Sequence, residues 1–228
     1  MVSTSASDVR AAGGQDSAVS GAWAGWGPVA GIGFVVLVVA SAFLDNSPNA
    51  NDSNAKWTSY YASSAHQVTG VLSGFLGVIA AVALLCFVAI AWTRLVAAGR
   101  NGLSSLLVPL LGTLSAVGIG VGFALGAVVP GGMIFGSMPE PSPDVLRVLN
   151  QTAGPLILVA GMIPLALAIA ILAVQARRAG TFGRGMVIFS MIMAVITLFA
   201  FIWFTALAPL IWVVTVSILL IRRPAAVS

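Results

Sequence analysis

From residue 28 to residue 221 the chain is a succession of apolar stretches in which charge is nearly absent. Hydrophobic residues make up 59% of the whole and charged residues 7%, and the few charges fall between the stretches. Water cannot solvate such runs, so the solvent for the fold is a lipid bilayer. A hydrocarbon core needs about 20 apolar residues per helical span. Six stretches approach or reach that length: Gly27–Leu44, Gln67–Trp92, Leu103–Val129, Thr152–Val174, Gly185–Trp203 and Ala206–Ile221. Their apolar residues run continuously, whereas barrel strands of about 10 residues alternate apolar and polar. The expected fold is therefore all-α, a polytopic transmembrane helical bundle of six spans.

The last two spans follow from length. Only 37 residues lie between Arg184 and Arg222. One helix of that length would be about 55 Å long, nearly twice the hydrocarbon thickness. A hairpin turning near Thr205–Pro209 resolves this and keeps the flanking arginines on one side. With six spans, Arg10, Arg94, Arg100, Arg177, Arg178, Arg184, Arg222 and Arg223 share one side, and Lys56 and Arg147 take the other. That bias in short loops places both termini in the cytoplasm. Asp45, Asp52, Glu140 and Asp144 fall outside. The net charge of +4 is accounted for by topology and makes no case for nucleic acid. Residues 1–22, rich in Ser, Ala and Gly, read as a disordered cytoplasmic tail. Residues 23–223 form the six-span domain and 224–228 a second tail. Trp23 and Trp26 mark the inner interface. Nine arginines against one lysine, with abundant Ala, Gly and Val, suggest a bacterial genome and hence a bacterial plasma membrane.

The first span also has the look of a signal peptide, because Ala40-Ser41-Ala42 is a small-x-small sequence behind a short apolar core. A long preceding region with Asp8, Asp16 and only Arg10 as a basic residue favours a retained anchor instead. Cys86 stands alone, so no disulfide can form within the chain, and it reads as a packed thiol.

Two outer loops share a layout. Asp45–His66 contains Asn54-Ala55-Lys56-Trp57, which Ser53 or Asp52 would cap, and Pro130–Gln151 contains the helix start Ser142-Pro143-Asp144. In each an outer helix would lead into the next span, so spans 1–2 and 3–4 form a possible divergent repeat of one hairpin. The segment Asn54-Ala55-Lys56-Trp57-Thr58-Ser59-Tyr60-Tyr61-Ala62 is followed by an apolar span ending Trp92-Thr93-Arg94-Leu95. Together with the end Leu219-Leu220-Ile221-Arg222-Arg223, it resembles a family of uncharacterised actinobacterial six-span integral membrane proteins. Those carry a Tyr-Tyr-Ala-like segment before the second span and a Leu-Leu-Arg-Arg-like end. The resemblance implies the topology and carries no activity.

Candidate sites lie on helix faces. Gly118, Gly122 and Gly126, four apart, present one face for close helix packing. His66, Thr69, Gly70, Ser73, Gly74 and Gly77 follow one face of the outer half of span two. Asn150, Gln151, Gly154 and Gly161 mark a similar face of span four. Were these two faces to meet, a polar vestibule rimmed by Trp57, Tyr60 and Tyr61 would lie between them. The plainer alternative is that Gly and Ser pack helices while Trp and Tyr form the interfacial belt. Pro164 is expected to kink span four, Pro109 says little, and Pro130-Gly131-Gly132 is expected to end span three.

No catalytic set emerges. His66 and Ser73 share a face but stand about 10 Å apart along the axis, too far for hydrogen-bonded activation. No metal cluster, phosphate loop or cofactor motif is visible, and no charge occupies a central membrane position, which disfavours proton-coupled transport. The sequence thus points to a non-enzymatic accessory or interaction component, in contact with the bilayer and with other membrane proteins or a second copy. The alternative is a transporter or binder of a neutral or lipid-like small molecule.

Overall fold

The computed structural model describes residues 26–97, 103–200 and 202–222. The two tails, Trp23, Arg10, Arg100 and Arg223 lie outside the described residues. Helix and short connections account for every described residue, and none forms a strand. That is the outcome hydrocarbon favours, since a helix satisfies its own backbone where no water can.

The first apolar run forms α1 (Trp26–Leu44), and the outer loop after it holds α2 (Asn54–Ala62), started by Ser53, whose Oγ accepts from Lys56 N at 3.3 Å. The long helices α3 (Ser64–Ala97) and α4 (Leu103–Phe135) follow. Next come α5 (Pro143–Pro155), a π-helical segment (Leu156–Gly161) and α6 (Met162–Arg178), which run on as one rod. The chain finishes with α7 (Arg184–Leu198), a 3-10 turn (Trp203–Ala206) and α8 (Leu207–Arg222). Five helices are long and apolar enough to cross a membrane; α7 is apolar but has only 15 residues. The architecture is that of a helical membrane bundle.

Its layout is a ring. Helix α3 packs on α1 and α4, α4 on the π segment and α6, α6 on α7, α7 on α8, and α8 returns to α1. Phe34, Leu84, Phe87, Ile119, Ile169 and Val213, drawn from five helices, fill the middle. Phe87 meets Trp212 edge to face, with centroids 6.3 Å apart, a geometry the ring quadrupoles favour. Consecutive packed helices run antiparallel: Gly27 lies on Ile90 at one end of the α1–α3 pair, while Ser41 meets Ser73 at the other. Arg94, Arg177, Arg178, Arg184 and Arg222 consequently gather at one end of the ring. Asp45, Asp52, Lys56, Glu140, Asp144 and Arg147 gather at the opposite end.

Three boundaries differ from those read in the sequence. Pro130 does not end its helix: α4 continues to Phe135, with the buried Pro130 ring against Gly70, where a Cβ would lie 3.2 Å from it. The stop comes at Gly136–Met138, where Gly136 N and Met138 N both donate to Gly132 O and Ser137 takes a positive φ of 50°. The irregularity assigned to Pro164 occupies the turn before it, as the π segment, and the rod starts at Pro143, well before Thr152. Proline gives up one backbone bond and its ring presses on the carbonyl four residues back; the wider π turn spreads that strain over several residues. The final hairpin turns at residues 199–206, so Pro209 sits in the first turn of α8, where its missing N–H costs nothing.

Candidate functional site

The small-residue stripe of span two is already occupied. Gly74 sits on Ala127 and the Phe123 carbonyl, where a Cβ would lie 3.0 Å from the oxygen, and Gly77 lies beneath the Phe123 ring. Both neighbours belong to α4, which lies between span two and span four, so the two polar faces do not meet. Ser73 turns the other way. Its Oγ donates to Ser41 O at 3.0 Å, while Ser41 Oγ donates to Ser73 O at 2.8 Å, and the hydroxyls are 2.9 Å apart. Both serines are buried. This reciprocal clasp ties α1 to α3 with every polar atom used locally, the arrangement that lipid rewards.

His66 stands at the exposed outer end of α3. Its ring stacks on Tyr60 at 4.3 Å, and its Nδ1 lies 3.2 Å from Tyr60 O. Thr69 Oγ1 donates back to His66 O. The His66 imidazole and the Ser73 hydroxyl therefore answer to different partners. On the fourth rod, Asn150 Nδ2 donates to Ser47 Oγ at 3.1 Å, Gln151 is exposed, and a Cβ on Gly154 would meet nothing within 4 Å. Gly161 lies on Ile119.

The glycines of α4 divide. A Cβ on Gly118 would come within 2.5 Å of Ala160 C, and one on Gly122 within 2.9 Å of Ala153 O. These positions hold α4 directly against the backbone of the π segment and α5. Gly126 shares their spacing and face, but a Cβ there meets nothing within 4 Å, so it is not a third packing position. The backbone-close approach ends one turn earlier, and beyond it the outer end of α5 meets α2 as well as α4.

That contact forms a small outer cap. Trp57 and Leu146 are fully enclosed, with Tyr61 and Val129 beside them and Tyr60, Met133 and Leu149 around them. Trp57 and Tyr61, expected as a rim, are instead a core. Arg147 latches it: one guanidinium nitrogen donates to Asp52 O and to Asn54 Oδ1, both at 2.8 Å, a second reaches Asp144 at 3.3 Å, and the group lies 5.9 Å from the Trp57 ring centroid. Removal from water, with the neighbouring Tyr60 and Asp45 adding to it, pushes the Tyr61 phenol up to about 12. The Tyr60 phenol is raised, chiefly by its burial. The Lys56 ammonium, 2.7 Å away, holds the Asp52 carboxyl below its usual range.

Sequence reasoning missed Ser41, Arg147 and the pair Ser190–Trp212. Ser41 was seen only as part of a cleavage-like triplet. Arg147 counted only as a charge on the minority side. The pair Ser190–Trp212, in which indole Nε1 donates to Oγ at 2.9 Å, joins helices whose sequences show no sign of each other. Among the described residues no three His, Cys, Asp or Glu side chains come together in a way that would hold a metal ion. No protein-family model, curated protein or solved structure matches this chain.

Proposed function

We propose that this chain is a non-enzymatic, six-span component of a bacterial plasma membrane, with both termini cytoplasmic, that acts as an accessory or interaction partner for other membrane proteins. One observation carries the reading: the buried Ser73 of the polar stripe and the buried Ser190 are engaged with neighbouring helices, while the Ser115 and Ser217 hydroxyls have no hydrogen-bond partner. Ser73 is held by Ser41 and Ser190 by Trp212, while the glycines of α3 are covered by α4. Hydroxyls and glycines used this way bring helices together, which suits a rigid bundle that presents its outer surfaces. Gly33, whose added Cβ would have no neighbour within 4 Å, and the exposed Ala124 are places where a second helix could approach such a surface closely. A photoreactive residue placed at either position should give, in intact membranes, a reproducible adduct with one other membrane protein or a second copy. Recovery of uncrosslinked chain alone would overturn the reading.

A second reading, a binder of a neutral or lipid-like molecule, is favoured by the open space at Gly126 and Gly154 near Asn150 and Gln151. It predicts a small molecule that survives purification and is lost in Gly154→Leu. Equal retention in that variant would remove the site.

A further inference from the structure

The turn joining α6 to α7 is built firmly and charged heavily. Thr181 N and Phe182 N both donate to Ala176 O, at 2.9 and 3.1 Å, and Thr181 Oγ1 donates to the same oxygen at 2.9 Å. Gly180 supplies the left-handed residue, φ 74°, that ends α6. Phe182 is buried among the core residues, so the turn is pinned to the bundle. Around this platform stand Arg177, Arg178 and Arg184, all exposed, with Arg222 at the adjoining end of α8. The acidic residues among those described, Asp45, Asp52, Glu140 and Asp144, lie at the far end of the ring, so this end is a concentrated positive surface.

A second feature sets its depth. One turn or less from these arginines, on the same helices, are the exposed apolar side chains Val174, Ile188 and Ile221. Acyl chains lying along those side chains would bring phosphates to the level of the guanidinium groups. Arginine suits this task, because its planar fork meets phosphate oxygens in pairs. We infer that the arginine-bearing turn, with Arg222, is a docking surface for the headgroups of anionic phospholipids. The inference does not rest on the accessory role proposed above. A basic side chain near an anionic membrane contributes about 1 kcal/mol, roughly fivefold in affinity, so four together should enrich anionic lipid around this end.

The test uses the full chain reconstituted in vesicles of phosphatidylcholine with about a third phosphatidylglycerol. After extraction in mild detergent, the retained lipids are weighed by native mass spectrometry. Phosphatidylglycerol should be enriched over its bulk share. The enrichment should vanish when extraction is done at about 1 M salt, where screening acts within about 3 Å. It should fall at least about tenfold in R177Q/R178Q/R184Q/R222Q and stay unchanged in K56Q, at the opposite end. Bulk-like retention by the native chain would overturn the inference, as would enrichment that persists in the quadruple variant. Displacement by inorganic phosphate at an ionic strength where chloride displaces nothing would also overturn it, by marking a free-anion site. Should the quadruple variant not assemble, the salt series on the native chain decides: enrichment indifferent to salt overturns the proposal.

Discussion

Ser41 and Ser73 do the work that an ion pair would do in water, at far lower desolvation cost. Each hydroxyl donates to the other residue's backbone carbonyl, so either alone leaves its partner with one bond fewer. Polar contacts between membrane helices are worth about 0.6 kcal/mol on average and about 1.7 at most. Ser41→Ala and Ser73→Ala should each lower stability toward denaturant in mixed micelles. The double variant should lose less than the sum, with a coupling of about 1 kcal/mol. Strict additivity would show that the clasp is incidental. Tyr61 yields a pH prediction. In the unfolded cap its phenol ionises near 10, whereas in the folded cap the value is about 12. The folded form holds the proton longer, so the stabilisation is complete below pH 10 and is lost as pH climbs from about 10 through about 12. Proteolysis within residues 54–62 should accelerate across that window in the native chain, and the acceleration should be much reduced in Tyr61→Phe. Only part of this was visible beforehand. The helical period of α3 puts Ser73 on a polar stripe, but periodicity names a face and leaves the opposing partner unnamed. Ser41 was hidden because a small residue before a loop also suits a peptidase.

Among the helices, the contrast between Gly118 and Gly126 shows why one spacing yields two outcomes. Both lie on the same face of α4, yet Gly118 opposes the rigid backbone at Ala160 and Gly161 while Gly126 opposes nothing within 4 Å. Backbone cannot yield as a flexible side chain can, so Gly118→Ala should destabilise by about 1–3 kcal/mol. Gly126→Ala should be neutral or slightly stabilising, since alanine is the better helix former. Equal effects in thermal unfolding would deny that α4 and the π segment touch backbone to backbone. The outer end of the same rod depends on Arg147, whose guanidinium spans the loop before α2 and the ring of Trp57. Arg147→Ala should free α2 from α5 and raise hydrogen exchange through residues 54–62 at least about tenfold, the equivalent of about 1.4 kcal/mol. Exchange through α3 should be unchanged. Unaltered exchange in α2 would mean that the apolar cap holds without its latch. The existence of the apolar helical segments was legible, because hydrocarbon demands long runs and the chain supplies them; five are long enough to cross a membrane. Their ends were less so. Pro130 looked like a terminator, yet Gly70 leaves room for its ring inside a longer helix, and no local pattern in residues 103–135 reports what stands across the interface. The π segment was hidden for the same reason: Pro164 announces a defect but not its position.

For the ring of helices taken together, the open issue is α7, whose 15 residues reach about 22 Å, short of a hydrocarbon core about 30 Å thick. Two facts favour a crossing. The connection from Phe199 to Ala206 is apolar apart from Thr205, and its Phe199 and Ile202 carbonyls accept from Ile202 N and Thr205 N at 2.9 and 2.8 Å, so these turn carbonyls are met internally. Such a turn can lie at the edge of the hydrocarbon without water, and the exposed Phe199, Ile202 and Phe204 would rest against lipid there. The far end of the hairpin carries charge, with Arg184 and Arg222 at the same end of two antiparallel helices. Moving either arginine through the membrane centre would cost at least about 2.5 kcal/mol by insertion scales, so a crossing hairpin would keep both on one face. Reporter domains inserted after Gly180 and fused after Ser228 should therefore appear on the same side of the membrane, with a third inserted after Pro139 on the other. If the first two separate, α7 and α8 do not form a crossing hairpin. The ring would then have to be closed by some means other than α8 returning to α1.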